Sequence, residues 1–516
     1  MTTQRDMTAF LGIDAGTTSL KAALCDLEGR LLAIDRQEYQ LETPAPSMVE
    51  LDAEVYWQAC AASVRNVIAR SGVDSARIPA LCISSQGETL IPVDSEGAPT
   101  RKAIVWLDNR AADQARSINS QFDIDTLYHT TGQPEVVPGW PACKILWIRN
   151  NEPHVFARTA MFLLLEDYLL HRLTGRFVTE CGLQTSSLLL DIRNKRWWQP
   201  MLDYVGVTPN NLGELMDPGE IVGPLCPEAA EATGLSGSTL AVTGAMDQAV
   251  GAIGAGNFRP GIVTETTGGA LAILATLDKP LFDPARRVPC HYHARKDTYC
   301  LLPWGQTAGM ALKWFRDNFF YLETQVARDG GFDEYDLMTR MAEGVSRGCD
   351  GMTVLPHLEG AACPEFDPAA RAVFYGATLK HTRGHFVRAI MESVGYMLKK
   401  NLSIAEELGV SVAEIRCMGG GARSPLWLRM KADILQKPVT PVECEETACL
   451  GAALIAAVAT GSYTSLEEGA EHMVRLGATT EPEPDRGGVY RQGYDRYLEL
   501  YERLAPMFGH QESLTS

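Results

Sequence analysis

Apolar runs broken by short polar turns predict a β-meander followed by an α-helix at the start of the chain. Hydrophobic residues dominate the segments 10–14, 19–25 and 31–39, and glycine or hydroxyl side chains lie between them. A helix is predicted to begin at Asp52, which can act as its N-cap, and to end at residues 71–72.

The same pattern returns later in the chain. A strand at 80–84 precedes the polar loop 85–89, and residues 261–274 predict a second strand–turn–strand segment. A second α/β unit is therefore expected to begin between about 245 and 262. Helices are expected at 143–151, 161–173, 308–320, 384–408, 424–435 and 446–460.

Length and charge narrow the class of protein. A chain of 516 residues exceeds what one hydrophobic core usually supports, so two or more domains are expected. The net charge of −18 argues against a nucleic-acid partner, which normally requires a basic surface. The thirteen cysteines include no Cys-x-x-Cys pair, the N-terminus has no apolar leader, and no apolar run is long enough to span a membrane. These features predict a cytoplasmic protein without a membrane partner.

The segment from Phe10 to Lys21 carries the first candidate chemistry. Asp14 ends an apolar run and is followed by Gly16 and the hydroxyl residues 17–19. A site for phosphate and metal needs unobstructed backbone N–H groups, hydroxyl donors and a carboxylate. An isolated Asp at a strand end is more often a turn or cap residue, but the residues that follow Asp14 favour a turn that grips phosphate.

Three further segments are ambiguous when each is taken alone. The glycines of 418–424 precede a helix, and Thr267 and Gly268 lie in a turn that could be an ordinary hairpin. Asp247 fits a helix N-cap and a proton-accepting carboxylate equally well. The chain has no G-x-G-x-x-G fingerprint and no Walker-A lysine motif. Taken together with Asp14, these segments predict ATP-dependent phosphoryl transfer.

Segments 12–19, 139–151, 244–248 and 418–424 resemble the FGGY family of carbohydrate kinases, and the resemblance spans nearly the whole chain. A fifth segment, 375–392, resembles a family signature in which Ala377 replaces a larger aliphatic residue. The resemblance implies an α/β fold with two ribonuclease-H-like domains of the actin/Hsp70/hexokinase ATPase type and an active-site cleft between them. The predicted domains are 8–246, on the sugar side, and 247–505, on the nucleotide side.

The resemblance also implies roles for individual residues. Asp247 would be the general base and Asp14 the ligand of Mg²⁺, and both acids count as catalytic. Residues expected to bind ATP are Thr17, Thr18, Ser19, Lys21, Thr267, Gly268, Gly309, Lys313, Gly420, Gly421 and Ser424. Residues expected to bind the sugar are Gly87, Glu88, Trp106, Asp108, Asp247 and Gln248.

The substrate loop shares features with two branches of the family. Glu88 and the pair Asp247–Gln248 are similar to glycerol kinases, whereas 106–110, 139–141 and 419–424 are similar to xylulose kinases. A carboxylate in the loop suits an uncharged polyhydroxylated ligand, and a sugar acid would be repelled unless Arg110 or another base offsets the charge.

The substrate predicted from the sequence is a small sugar phosphorylated on a terminal hydroxyl, with a ketopentose such as xylulose preferred. The alternatives are a polyol kinase of glycerol or erythritol type, another ketose kinase of the family, a partner-regulated ATPase of actin or chaperone type, and a catalytically silent sugar sensor. A homodimer is a further expectation.

Overall fold

The computed structural model describes residues 7–484 and 487–509, so the expected lack of an N-terminal leader falls partly outside the described residues. The chain forms two units. The first runs to Phe258 and also contains Thr276–Cys300 and Glu446–Arg475. The second contains Arg259–Ala275, Leu301–Glu445 and the chain from Leu476. The single boundary expected between residues 246 and 247 stays a prediction.

The β-strands are numbered in chain order. They are β1 Ala9–Ala15, β2 Ser19–Asp26, β3 Leu31–Glu38, β4 Glu50–Leu51, β5 Ala80–Ser85, β6 Leu90–Val93, β7 Ala103–Ile104, β8 Met161–Leu164, β9 Val178–Glu180, β10 Leu190–Asp191, β11 Arg196–Trp197, β12 Glu214–Met216, β13 Ile221–Pro224, β14 Leu240–Met246, β15 Gly261–Thr267, β16 Leu271–Leu277, β17 Cys290–Tyr292, β18 Tyr299–Leu301, β19 Trp304–Gly305, β20 Thr353–Leu355, β21 Val373–Tyr375, β22 Val412–Met418 and β23 Val439–Pro441.

The α-helices follow the same order. They are α1 Ala53–Ser71, α2 Ala112–Gln121, α3 Ile124–Thr131, α4 Pro141–Asn151, α5 Pro153–Arg158, α6 Leu165–Thr174, α7 Cys181–Gln184, α8 Gln199–Val205, α9 Pro227–Thr233, α10 Asp247–Gly254, α11 Gly309–Phe319, α12 Tyr321–Asp329, α13 Glu334–Glu343, α14 Arg383–Glu407, α15 Pro425–Leu435, α16 Thr447–Ala459, α17 Leu466–Met473 and α18 Gly487–Phe508. In the described part of the chain, no helix combines the length and the apolarity that crossing a membrane requires.

A six-stranded sheet with the order β13-β14-β5-β1-β2-β3 forms the core of the first unit. β1, β5 and β14 are parallel neighbours, and β1–β2 and β2–β3 are antiparallel pairs. The predicted meander is therefore confirmed. The predicted ends of α1 are also confirmed, because the Asp52 side chain accepts a hydrogen bond from the Glu54 N–H and Gly72 closes the helix with φ +67°.

The helix predicted over residues 161–173 is wrong in its first turn. Met161–Leu164 is the strand β8, which pairs antiparallel with β6, and the helix α6 begins only at Leu165. A short run of consecutive apolar residues fits a buried strand and a buried helix equally well. The pairing with β6, which lies far away in sequence, decides between them.

The second unit repeats the hairpin-plus-parallel-strand arrangement. The consecutive strands β16-β15-β22-β23 of a seven-stranded sheet form it: β15 and β16 are an antiparallel hairpin, and β15, β22 and β23 are parallel. The hairpin turns at residues 268–270, as the sequence predicted. The β22 strand leads into a short 3-10 turn, Gly420–Arg423, and then into α15.

Helix α16 completes the core of the first unit although it lies near the end of the chain. It packs on β1 and on α10. Small residues permit this approach, because a side chain at Gly12 would collide with the carbonyl of Cys449, and one at Gly451 with the carbonyl of Val250. The core of the first unit thus depends on residues more than 400 positions apart.

Candidate active site

Asp14 lies near the carboxyl end of β1 and faces groups from both neighbouring strands. It is in register with Lys21 on β2 and Ser84 on β5, and the Ser84 Oγ is 3.4 Å from Asp14 Oδ1. The Lys21 ammonium donates a hydrogen bond of 2.5 Å to Glu446, just before α16. Burial raises the pKa of Asp14 to about 6, against the opposing charge of Lys21.

Asp247 is the first residue of α10, directly after β14. Burial, together with the negative charges of Asp14 and Glu88, raises its pKa to about 7. The Gln248 backbone N–H donates a hydrogen bond of 2.7 Å to the Asp247 carboxylate. The first unit therefore brings the two predicted catalytic acids within electrostatic reach of each other, and of Glu88.

Glu88 lies in the predicted substrate loop in a left-handed conformation, with φ +58°. Burial raises the pKa of its carboxyl group, and the Lys144 charge opposes this. The Lys144 ammonium is fully buried and donates to the carbonyls of Glu88, at 2.8 Å, and Val105, at 3.0 Å. Burial lowers the pKa of Lys144 to about 7. Next to Glu88, Gly87 approaches Ser186 and Met246, where a Cβ would lie 3.3 Å from the Ser186 hydroxyl.

Trp106 links the substrate loop, residues 85–89, to the turn at residues 16–18 that follows β1. Its indole N–H donates a hydrogen bond of 2.8 Å to the Thr17 hydroxyl, and its backbone N–H donates to the Thr89 hydroxyl at 3.2 Å. Thr18 is exposed, whereas Ser19 is buried at the start of β2. The structure thus brings a predicted sugar-binding residue and a predicted nucleotide-binding residue into direct contact.

Asp108 has a different environment. It is fully buried, and its carboxylate accepts hydrogen bonds from Arg110 and from the Val49 backbone N–H. Arg110 is itself 2% exposed and also pairs with Glu50 at 2.7 Å. These contacts hold the Asp108 carboxylate in a buried network of hydrogen bonds and ion pairs. The expected contact of Asp108 with substrate stays a prediction.

All seven nucleotide-site residues predicted in the second unit line one cavity of about 580 Å³. They are Thr267, Gly268, Gly309, Lys313, Gly420, Gly421 and Ser424. Two of the glycines are required by close packing. A side chain at Gly309 would collide with the Gly268 carbonyl, and a Cβ at Gly421 would lie 2.6 Å from the Thr267 Cβ.

Lys313 and Ser424, two of these lining residues, each have a partner that bears on their predicted role. The Lys313 ammonium donates a hydrogen bond of 2.5 Å to Asp317, one turn along α11. The Ser424 hydroxyl accepts from the Trp427 backbone N–H at 3.3 Å and caps α15. Lys313 is half exposed, so its charge can turn toward a ligand, whereas Ser424 has a clear structural role in the helix start.

Sequence reasoning missed one wall of this cavity. Asp333, Tyr335, Asp336 and Thr339, at the start of α13, line it together with Met391 and Trp427. Asp333 caps the helix by accepting a hydrogen bond from the Tyr335 N–H. In the sequence these residues form an ordinary capped helix start, and only the packing of α13 in the second unit makes them part of a cavity.

The FGGY family of carbohydrate kinases matches the chain over most of its length. Its N-terminal domain matches residues 9–254 and its C-terminal domain matches residues 263–460. The chain belongs to this family. The predicted fold class, an α/β kinase of two domains with actin/hexokinase-type architecture, is confirmed, and the chain is a sugar kinase.

Relatives with two different substrates in their names are about equally similar to this FGGY kinase. Xylulose kinase from Bacillus subtilis is 30% identical over 495 residues, covering 96% of this chain and 97% of the relative. Gluconokinase from Bacillus licheniformis is 30% identical over 518 residues, covering 99% of this chain and 100% of the relative. The crystal structure of xylulose kinase from Rhodospirillum rubrum has a TM-score of 0.88 at 27% identity and covers 97% of this chain and all of its own. Identity alone therefore does not select the sugar.

Proposed function

We propose that this kinase transfers the terminal phosphoryl group of ATP to a terminal hydroxyl of a small uncharged sugar, with a ketopentose such as xylulose as the preferred substrate. The observation that carries the proposal is the grouping of Asp14, Asp247 and Glu88 in the first unit, where each carboxyl group has a raised pKa. Such a grouping supplies a base and acceptors for sugar hydroxyls.

Charge supports an uncharged sugar over a sugar acid such as gluconate. The negative charge of Glu88 raises the pKa of Asp247, so the two carboxylates repel each other. A carboxylate on the substrate would be repelled in the same way. The cations near the loop have other partners. Arg110 is paired with Asp108 and Glu50, and Lys144 is buried against backbone carbonyls.

Asp247 is suited to accept the proton of the attacking hydroxyl. A general base works best when its pKa lies near the working pH, and burial brings the pKa of Asp247 to about 7. Trp106 and Glu88 would orient the sugar, Trp106 through its apolar face and Glu88 by accepting hydroxyl hydrogen bonds. ATP supplies the phosphoryl group, and Mg²⁺ neutralises the charge of its phosphates.

The residues present fit both groups. The glycine-lined cavity of the second unit leaves open space above Gly420, where a side chain would meet no atom within 4 Å. Backbone without Cβ atoms accommodates phosphates closely. Mg²⁺ commonly keeps several waters and takes one or two carboxylates in addition to substrate phosphates, so Asp14 is a sufficient protein ligand. In the described ranges, no cluster of three or more His, Cys, Asp or Glu side chains is arranged as a metal site by itself.

A coupled ADP-release screen tests the substrate. The panel includes D- and L-pentuloses, hexuloses, glycerol, tetritols, pentitols and gluconate, with the Asp247→Asn variant as the control for background hydrolysis. We expect the highest kcat/KM with a ketopentose. Preference for gluconate would overturn the uncharged-sugar proposal, preference for a polyol would support the polyol-kinase alternative, and ATP hydrolysis that ignores every sugar would support the regulated-ATPase alternative.

A further inference from the structure

Glu265 and Lys431 form a completely buried ion pair in the second unit. The Lys431 ammonium donates to Glu265 Oε1, and both side chains are 0% exposed. Glu265 belongs to β15 and Lys431 to α15. Because the desolvation of two charges offsets most of their attraction, such a pair adds little net stability compared with apolar side chains. A role other than stability accounts better for its position.

The Thr267 hydroxyl joins the pair into a triad. It donates to Glu265 Oε2 at 2.7 Å and accepts from the Lys431 ammonium at 3.0 Å. A hydroxyl can donate only one hydrogen bond, and here Glu265 accepts it. Within this triad, Thr267 has no proton to offer to a phosphate oxygen.

Thr267 lies between two glycine turns that line the nucleotide cavity. It ends β15 and leads into the hairpin turn at Gly268, and it also packs against the turn that follows β22. A Cβ at Gly421 would lie 2.6 Å from the Thr267 Cβ, and one at Gly419 would lie 3.1 Å from the Thr267 carbonyl oxygen. The side chain of Thr267 therefore packs against residue 421 and its carbonyl faces residue 419, so Thr267 lies between the hairpin turn at 268–270 and residues 419–421.

We propose that Glu265 and Lys431 are positioning residues, which fix Thr267 as a spacer between the two glycine turns of the cavity. The ion pair links the strand that carries one turn to the helix that begins after the other. Loss of the pair would release Thr267 and let the turns separate. That the cavity holds the nucleotide rests on the proposed function, whereas the link between the two turns does not.

The first test compares Glu265→Gln with Glu392→Gln. Glu392 pairs with Arg388 in the same unit, with exposures of 2% and 5%, and does not line the cavity, so it controls for the loss of a buried ion pair. For Glu265→Gln we expect at least tenfold weaker MgADP binding in calorimetry, a sugar KM within twofold of wild type, and faster amide exchange at 266–271 and 418–424 in the ligand-free protein. For Glu392→Gln we expect lower stability in urea without these changes. Equal effects of both variants on ADP binding and exchange would overturn the proposal.

The double variant Glu265→Leu/Lys431→Met keeps the test valid if a single charge left in the core prevents folding. Replacing both members of a buried pair by apolar residues commonly preserves the fold. We expect a folded protein with weakened ADP binding and faster exchange in both turns. Wild-type affinity together with wild-type exchange in this variant would show that the pair does not position the turns.

Two substitutions at Thr267 separate a spacer from a phosphate donor. Thr267→Val keeps the branched shape and removes the hydroxyl, whereas Thr267→Ser keeps the hydroxyl and removes the methyl group. If the pair positions Thr267 through its hydroxyl, Thr267→Val should weaken ADP binding and also speed amide exchange in both turns of the ligand-free protein, with smaller effects in Thr267→Ser. Loss of a phosphate donor alone should weaken ADP binding in Thr267→Val and leave exchange in the ligand-free protein unchanged. The exchange readout is independent of catalysis. If the wild-type protein phosphorylates no tested sugar, the proposed function is refuted and the positioning role is unaffected. If amide exchange is unchanged in the variants, the positioning role is refuted and the proposed function is unaffected.

Discussion

The ammonium group of Lys144, on α4, donates a hydrogen bond of 2.8 Å to the backbone carbonyl of Glu88. A second bond, to the carbonyl of Val105, links the same ammonium to the segment that carries Trp106. Two loops with predicted sugar-binding residues thus share one buried donor. The left-handed backbone of Glu88, which is unfavourable for a residue with a side chain, is held in place by this contact.

Replacement of Lys144 by Met is expected to disturb sugar binding selectively. The change leaves two carbonyls without their donor, which costs about 1–3 kcal/mol of stability for each buried group. We expect the sugar KM to rise roughly tenfold while the KM for ATP stays within twofold, measured by steady-state kinetics and urea unfolding. Lys102→Met, which breaks the exposed pair with Glu42, is the control. A loss of stability with an unchanged sugar KM would assign Lys144 a purely structural role.

The Asp247→Asn variant is expected to bind both substrates but to phosphorylate slowly. Asn keeps the shape of the side chain and accepts no proton, so kcat should fall by roughly 10²–10⁴-fold, the range for loss of a general base. Calorimetry with ADP should give a wild-type dissociation constant. Turnover at the wild-type rate would remove Asp247 from the chemistry.

Activity is expected to rise with pH through about 7. Asp247 must be ionised to accept a proton, and burial raises its pKa to about 7. Asp14, with a pKa raised to about 6, should steepen the loss of activity below pH 6, because a protonated carboxyl group does not hold Mg²⁺. The measurement is kcat/KM between pH 5 and pH 9 with saturating metal. A flat profile from pH 5.5 to pH 8 would contradict these assignments.

Ionisation of Asp247 should lower the free energy of unfolding as pH rises from acid to neutral. The pKa of Asp247 is about 7 in the folded protein and about 3.8 when unperturbed, so stability is lost as pH rises through this interval and the carboxyl group ionises. Asp247→Asn removes this cost. We expect the variant to gain more stability over wild type at pH 8 than at pH 5, by about 1 kcal/mol or more, since one pKa unit corresponds to about 1.4 kcal/mol. Equal gains at both pH values in thermal unfolding would argue against a raised pKa.

Glu88→Gln is expected to change the discrimination between uncharged and acidic sugars. The amide keeps a hydrogen-bond acceptor and removes the charge, so kcat/KM for the preferred uncharged sugar should fall roughly 10–100-fold, the cost of a charged hydrogen bond. The ratio of kcat/KM for gluconate to that for xylulose should rise, because repulsion is relieved. The two sugars are compared in one coupled assay at fixed ionic strength. An unchanged ratio would place Glu88 outside the sugar site.

The sequence predicts those parts of this kinase that depend on neighbouring residues. The caps of α1 and the turn of the β15–β16 hairpin are local features, and the structure has them at the predicted positions. Met161–Leu164 was predicted wrongly because an apolar run does not reveal its pairing partner. The pair of Glu265 and Lys431 was missed, because a charged side chain in a sequence is normally expected at the surface.

The return of α16 to the first unit has a consequence for synthesis on the ribosome. Residues Glu446–Arg475 belong to that unit, and Gly12 on β1 packs directly against Cys449. The N-terminal half therefore waits for its last core helix until about nine-tenths of the 516-residue chain has been translated. A nascent chain released before residue 446 would leave the apolar face of β1 uncovered, so premature termination should produce an aggregating fragment and no independent N-terminal domain.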